Sequence, residues 1–222
     1  MAALEAEPDP PTRLRRGEEA VDGHLADSLS GLEVPEVAAA ARIGDLGSGA
    51  GFPGLVLAIA LPSARVDLIE SQGRKTAVID RLLQAAHVTN ARSVTARAEE
   101  WAANPPPFGG RESYDLVTAR AVGSLAEVAE YASPLLRESG VLVAWKGARD
   151  ASEEEAASRA AGGLGLRVRE VLSVQPFAGA RDRHLHVLVK AGPTPEGLPR
   201  RPGMARKRPF GSERSGSDRR GG

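Results

Sequence analysis

The residues best placed to do chemistry in this 222-residue chain are acids that follow short apolar runs. The first stands in a glycine-rich stretch. Residues 43–54 read Ile-Gly-Asp-Leu-Gly-Ser-Gly-Ala-Gly-Phe-Pro-Gly. One frame, Gly49, Gly51 and Gly54, satisfies the G-x-G-x-x-G pattern of dinucleotide loops. That frame starts too late. In a dinucleotide fold the first glycine directly follows the strand, so that the helix N-terminus meets the pyrophosphate. Here the residue after the apolar run is Gly47, and the pattern in that frame is Asp45-x-Gly47-x-Gly49-x-Gly51. A carboxylate two positions before the first glycine is a poor neighbour for a pyrophosphate and a good one for a cationic or amine-bearing ligand. S-adenosylmethionine, with a sulfonium, an α-amine and no phosphate, fits that description.

Two further acids extend the pattern. Glu70 ends the next apolar run, where a carboxylate accepts hydrogen bonds from both ribose hydroxyls of a nucleoside; this serves NAD and S-adenosylmethionine equally. Glu99 follows Ala98 at the end of a third run, beside the place an adenine would occupy. Singly, Asp45 could cap a turn, and Glu70 and Glu99 could be solvated helix starts. Three acids at three successive strand ends favour a site. The chain has no cysteine and four scattered histidines, so neither a thiolate nor a histidine metal site is expected. No Ser-His-Asp grouping or carboxylate pair supports a hydrolase.

Strands alternating with helices must position these residues. Apolar runs at 41–46, 64–70, 92–98, 114–121, 140–147, 166–174 and 183–191 predict seven strands. Helical patterns lie over 17–31, 55–61, 73–88, 124–136 and 151–162. The alternation predicts an α/β fold: a Rossmann-like sheet with helices on both faces, mostly parallel, with an antiparallel pair at one edge. The glycine loop then joins the first strand to the first helix, where open α/β sheets bind ligands. Asn104-Pro105-Pro106-Pro107-Phe108 imitates the motif of amino-methyltransferases but precedes the fourth strand, so it reads as a stiff surface linker.

The ends differ from the body. Residues 1–16 are charged and Pro-rich, do not form a signal peptide and are expected to be disordered. Residues 17–192 form the expected catalytic domain. The segment 193–222 is Pro/Gly-rich, and from Arg200 onward it carries eight Lys/Arg against two acids. It reads as a mostly disordered arm for phosphates or as a solvated terminus. No apolar run is long enough to span a bilayer, and a cytoplasmic location is expected.

A family resemblance runs through His24–Leu29, Ile43–Ile59, Leu68–Leu82, Ala96–Trp101, Tyr114–Leu125, Val143–Gly147, Arg183–Lys190 and Pro199–Pro209. In this order the segments resemble the bacterial small-subunit rRNA guanine-N7 methyltransferases, also called glucose-inhibited division protein B. The Gly-Phe-Pro-Gly ending of the loop and Thr118-Ala119-Arg120-Ala121 are more specific than the glycines alone. Only 23 residues precede His24, where the family usually has a longer helical start with an Asn-Leu-Thr motif. The resemblance implies a class I S-adenosylmethionine-dependent methyltransferase with a seven-stranded mixed sheet, acting on N7 of a guanine in 16S rRNA or the assembling small subunit, as a monomer without a metal.

It also implies that Gly47, Phe52, Glu70, Ser71, Gln72, Ala98, Glu99 and Arg120 contact the cofactor, together with Asp45, Gly49 and Gly51 of the loop. Arg120 is expected to hold the methionine carboxylate or pair with the guanine O6 edge. Lys146, ending the fifth strand, either positions the substrate or snorkels to solvent. Arg183, Arg200, Arg201, Arg206, Lys207 and Arg208 are expected phosphate contacts. His24 and Asp27, at i, i+3 spacing, either cap the pocket or bond to each other. The rival readings are an NAD-dependent oxidoreductase and a protein that binds S-adenosylmethionine without turnover.

Overall fold

A computed structural model describes residues 1–14 and 16–211. Seven strands form one sheet: β1 (Arg42–Leu46), β2 (Arg65–Glu70), β3 (Ala91–Thr95), β4 (Tyr114–Arg120), β5 (Leu136–Lys146), β6 (Leu166–Ser173) and β7 (His184–Lys190). Their order is β3-β2-β1-β4-β5-β7-β6. The first five are parallel, and β7 runs antiparallel to both β5 and β6. The expected edge pair is therefore present. The strand order reverses between β1 and β4, and a ligand crevice opens at such a switch point, beyond the carboxyl ends of the strands.

Ten helices accompany the strands among the described residues. They are α1 (Ala2–Ala6), α2 (Gly17–Ala20), α3 (Asp27–Leu29), α4 (Pro35–Ala39), α5 (Gly54–Ala60), α6 (Gly73–Ala85), α7 (Ala98–Trp101), α8 (Leu125–Ala132), α9 (Ala151–Gly163) and α10 (Met204–Lys207). Alternate residues of the strands feed two cores. Ile43, Leu68, Leu116 and Val143 pack under α5 and α6, and Leu46, Ile69, Val117, Leu142 and Leu188 pack under α8 and α9. A sheet covered on both faces explains why the strands read as nearly continuous apolar runs. No described helix is long and apolar enough to cross a membrane.

Several boundaries depart from the sequence reading. The helical pattern over 17–31 is broken: a π-helical turn, Val21–Ala26, joins α2 to α3, and a 3-10 turn, Ser30–Glu33, follows. β3 stops at Thr95, so Ala98 and Glu99 open α7 instead of ending the strand. The Pro-rich stretch is a surface turn before β4, as expected, with Phe108 largely exposed.

The ends are more ordered than their composition suggested. Residues 1–16 were expected to be disordered, yet α1 buries Leu4 in the core beside α5 and α6. Glu7 accepts two hydrogen bonds from Arg81 of α6, at 2.8 and 2.7 Å. The expected disorder of the C-terminal arm also fails up to Gly211. Leu198 and Ala205 are buried, and Phe210 packs against the α8–α9 core. Arg200 makes a fork-to-fork pair with Glu130 of α8. A few anchors thus hold a segment whose average composition is polar. Residues 212–222 of the predicted arm lie outside the described residues.

Glu130 is 4% exposed, so its carboxylate depends on Arg200. Stranding a fully buried carboxylate costs about 3–5 kcal/mol. Arg200 retains some solvent contact, so Arg200→Met is expected to lower unfolding free energy by about 2 kcal/mol in urea titrations. Arg149→Met, which breaks an exposed, solvent-screened pair with Glu154, is expected to leave it almost unchanged. Equal shifts for the two variants would contradict the assignment.

Candidate active site

The crest of β1 sets the site. Gly47, Gly49 and Gly51 have φ of 62°, 59° and 94°, the left-handed region that glycine adopts without strain. The loop they form is pinned to β2: the amides of Gly47 and Ser48 donate to the Ile69 carbonyl at 2.8 and 3.2 Å. Gly54 opens α5 so close to the sheet that a Cβ there would sit 2.4 Å from Leu68 Cδ2 and 2.7 Å from Asp45 Cβ.

Asp45 faces inward, not toward the crevice. It is 0% exposed. Its Oδ1 accepts from the Thr118 hydroxyl of β4 at 2.7 Å, and its Oδ2 has no hydrogen-bond partner. Burial pushes its carboxyl up from 3.8 to about 6, against the pull of Thr118. The expected role as a direct ligand neighbour is therefore corrected. Asp45 lies beneath the loop because alternation along β1 turns it into the interior, and Gly54 lets the helix close over it.

Glu70 fastens the loop from the other side. Its Oε2 accepts from the Gly49 amide at 3.2 Å, and its Oε1 from the Gln72 amide at 3.0 Å and the Ser71 hydroxyl at 3.3 Å. Lys75 Nζ lies 3.7 Å away. Beside this carboxylate is a crevice of about 130 Å³. It brings together Gly47, Glu70, Ser71, Ala98 and Glu99 of the predicted set, between apolar walls from Leu46, Ile69 and Val122. Apolar walls with carboxylates at the rim suit a flat purine and a ribose diol. Tyr131, Ala96 and Arg97 also line it and were not anticipated. Tyr131 comes from α8, and no local motif marks it.

The remaining predicted cofactor residues do not line this crevice. Gln72 contributes its backbone amide to Glu70, and Gly49 and Gly51 shape the loop. Phe52 is buried and stacks on His24, with centroids 4.3 Å apart and planes at 8°. Arg120 lies in a second cluster. Its Nη1 donates to Asp27 Oδ2 at 2.8 Å and to the Gly23 carbonyl at 2.9 Å, and its Nη2 lies 3.2 Å from His24 Nδ1. The guanidinium carbon is 5.8 Å from the Phe52 ring centroid.

His24 and Asp27 thus meet at Arg120, and no hydrogen bond joins their side chains. The π-helical turn ending at Ala26 presents both to β4, and such turns recur at functional sites. With its Nδ1 accepting from Arg120, His24 donates from Nε2 to the Leu14 carbonyl at 3.0 Å. Burial and the Arg120 charge lower its pKa, against the pull of that carbonyl, so the imidazole is neutral near pH 7. Arg183, an expected phosphate contact, has its Nε 3.6 Å from the otherwise unbonded Asp27 Oδ1.

Lys146 is not brought to Arg120. Its ammonium donates to the Gly123 carbonyl at 2.8 Å and to Glu153, tying β5 to the loop after β4 and to α9. In the C-terminal segment, Arg200 is occupied by Glu130, which removes it from the free phosphate contacts. Arg201, Arg206, Lys207 and Arg208 are exposed. The same segment reaches the crevice: the Gly203 amide donates to Glu99 Oε1 at 2.8 Å.

An open α/β sheet of this order, with a glycine loop over a buried acid and a second acid at the β2 end, defines a class I S-adenosylmethionine-dependent methyltransferase. The residues fit that cofactor. Glu70 and Glu99 stand at the rim of a crevice walled by Leu46, Ile69 and Val122, which offers acceptors for a ribose diol beside a slot for a flat purine. The chain belongs to the family described as rRNA small subunit methyltransferase G, which it matches over residues 12–185. It is 39% identical over 188 residues to a protein of that name from Pelotomaculum thermopropionicum, covering 84% of this chain and 77% of the relative. It is 43% identical over 166 residues to another from a Roseiflexus species, covering 75% and 69%.

Solved structures agree on the fold. The mitomycin 7-O-methyltransferase superposes with a TM-score of 0.58 at 16% identity, covering 74% of this chain and 52% of that one. A predicted O-methyltransferase from Agrobacterium tumefaciens gives 0.55 at 23% identity, covering 74% and 79%.

Two outcomes test this geometry. Glu70→Ala is expected to weaken S-adenosylhomocysteine binding by about 1–3 kcal/mol in calorimetry, the usual cost of losing hydrogen bonds to a charged group. Asp45 keeps its proton longer in the folded chain than in the unfolded one, so its contribution to stability is complete below about pH 3.8 and is lost as pH rises through about 6. Relative to Asp45→Asn, the wild-type unfolding free energy is expected to fall by about 2 kcal/mol between pH 4 and 7. A constant difference across that range would show that Asp45 is not held protonated.

Proposed function

We propose that this protein transfers the methyl group of S-adenosylmethionine to N7 of a guanine in 16S rRNA, on the small subunit or its assembly intermediate. The observation that carries this reading is the family match across residues 12–185, coinciding with an acid-rimmed nucleoside crevice. The cofactor supplies an electrophilic methyl on a positively charged sulfur. Guanine N7 offers an in-plane lone pair and no proton to remove, so the protein has to position and does not have to deprotonate.

The residues suit that demand. Glu70 and the glycine loop hold the nucleoside end of the crevice. Arg120, fixed by Asp27 and the Gly23 carbonyl, keeps its Nε–H and one Nη2–H without a partner among the described residues, and a purine O6 is a suitable acceptor for them. Neutral His24 orients Arg120 and takes no proton in the transfer. The exposed cations Arg201, Arg206, Lys207 and Arg208 flank the crevice through Gly203 and contact phosphates. A monomer without a metal, working in the cytoplasm, belongs to the same reading.

The test is methyl transfer with labelled S-adenosylmethionine to small subunits lacking the modification. The label is expected in 16S rRNA as N7-methylguanine, released by borohydride reduction and aniline cleavage. The maximal rate is expected to stay flat from about pH 6.5 to 8.5, since no general base titrates in the step. Arg120→Ala is expected to lower it roughly 10²-fold while S-adenosylhomocysteine still binds. Cofactor binding without label in RNA would favour the reading as a binding protein without turnover.

A further inference from the structure

A second concavity, of about 650 Å³, lies at the other end of the sheet, where β1, β2 and β3 begin. Three adjacent strands each place an arginine there: Arg42, Arg65 and Arg92. In the parallel register Arg42 pairs with Arg65, and Asp67 pairs with Arg92. Register partners share a face, and residues two apart on a strand do too, so all three arginines stand on one face of the sheet. That face is open because the β3–β4 connection supplies only the single turn of α7 and a loop, whose Pro106 and Pro107 form one wall of the groove.

The three arginines are not equivalent. Arg92 is held by Asp67, with Nε to Oδ1 at 2.6 Å, and its guanidinium lies 5.8 Å from the Trp101 ring centroid. Tyr114 donates to the same carboxylate at 2.7 Å. Arg42 lies 5.6 Å from the Tyr114 ring centroid. Neither Arg42 nor Arg65 forms an ion pair among the described residues, and Arg65 is exposed. The groove floor therefore carries two uncompensated guanidiniums on neighbouring strands, about 4.8 Å apart at the backbone. Planar guanidinium forks select carboxylate and phosphate oxygens.

We propose that this groove binds the phosphodiester backbone of the RNA substrate, with Arg42 and Arg65 as the contacts. The inference rests on the reading of the substrate as rRNA. A chain of repeated phosphates suits two cations on successive strands. The Tyr114 and Trp101 faces are already covered by Arg42 and Arg92, and the exposed Phe108, between the lining residues Pro107 and Gly109, is a stacking surface for a base of the same RNA chain. A strand of six residues spans about 20 Å, so one folded RNA domain reaches from the crevice to the groove.

The test uses the full-length protein and a small-subunit RNA fragment that the wild type methylates. RNA affinity is measured against salt concentration for the wild type, for Arg42→Ser/Arg65→Ser and for Arg65→Glu alone. For the double variant the slope of log K against log salt is expected to fall by about 1.4, the share of two phosphate contacts on a single strand, and affinity near 0.1 M salt to fall roughly tenfold or more. The KM for RNA rises with it. S-adenosylhomocysteine affinity and the rate at saturating RNA are expected to stay unchanged. Arg65→Glu, at an exposed position that does not disturb Tyr114, reproduces the loss in affinity.

An unchanged slope and affinity in both variants overturns the proposal and leaves the proposed reaction standing. Binding of inorganic phosphate or a nucleoside monophosphate that depends on Arg65, with no effect on RNA, overturns it in favour of a small-ligand site. Failure of the wild type to bind or methylate small-subunit RNA sinks the proposed reaction and this inference together.

Discussion

A single buried carboxylate organises the upper half of this molecule. Asp45 is wholly enclosed between the Thr118 hydroxyl of β4 and the start of α5. A buried, half-satisfied acid is a costly group, and it persists because the surrounding backbone is built around it. Gly54 allows the helix to approach, the three left-handed glycines turn the chain back over the strand, and the loop amides then reach Ile69 and Glu70. The crevice is the space left beside that closed turn. Position along β1 thus decides where Glu70 and the apolar walls meet.

The same logic of shared carboxylates recurs around Asp27. It fixes Arg120 directly and lies within ion-pair distance of Arg183, while its carbonyl accepts from Trp145 Nε1 at 2.9 Å. Elements distant in sequence, the helical start of the chain, the ends of β4 and β5 and the residue before β7, therefore converge on one residue. Arg120 is presented at a set angle instead of sweeping its long side chain through solvent, which limits the entropy lost when a substrate is engaged.

Much of this was legible in the residues. The alternation of strands and helices gave the sheet, its switch point and the antiparallel edge pair, and the acids after the apolar runs pointed to Glu70 and Glu99 at the crevice. What escaped was governed by depth and by distant partners. Alternation tells which face a strand residue takes; with both faces of the sheet covered, it does not tell whether the residue looks into a crevice or into the core, and Asp45 fell on the wrong side of that ambiguity. Lys146 was reachable as a strand-end cation, but its engagement with Glu153 depends on how α9 returns to the sheet. The chain ends misled for another reason: Leu4, Leu198, Arg200 and Phe210 are isolated anchors in polar surroundings, and averages over a window dilute them.

The amide of Gly203 gives the C-terminal segment a consequence beyond anchoring. It occupies an oxygen of Glu99, which is part of the wall of the nucleoside crevice, while the cations two to five residues away point outward. Equilibria joined through a common contact are reciprocal. A partner that drew this segment away would loosen the grip on the nucleoside, and a filled crevice would hold the segment down by the same factor. On the proposed reading, the affinities for the two ligands are then coupled through one peptide proton.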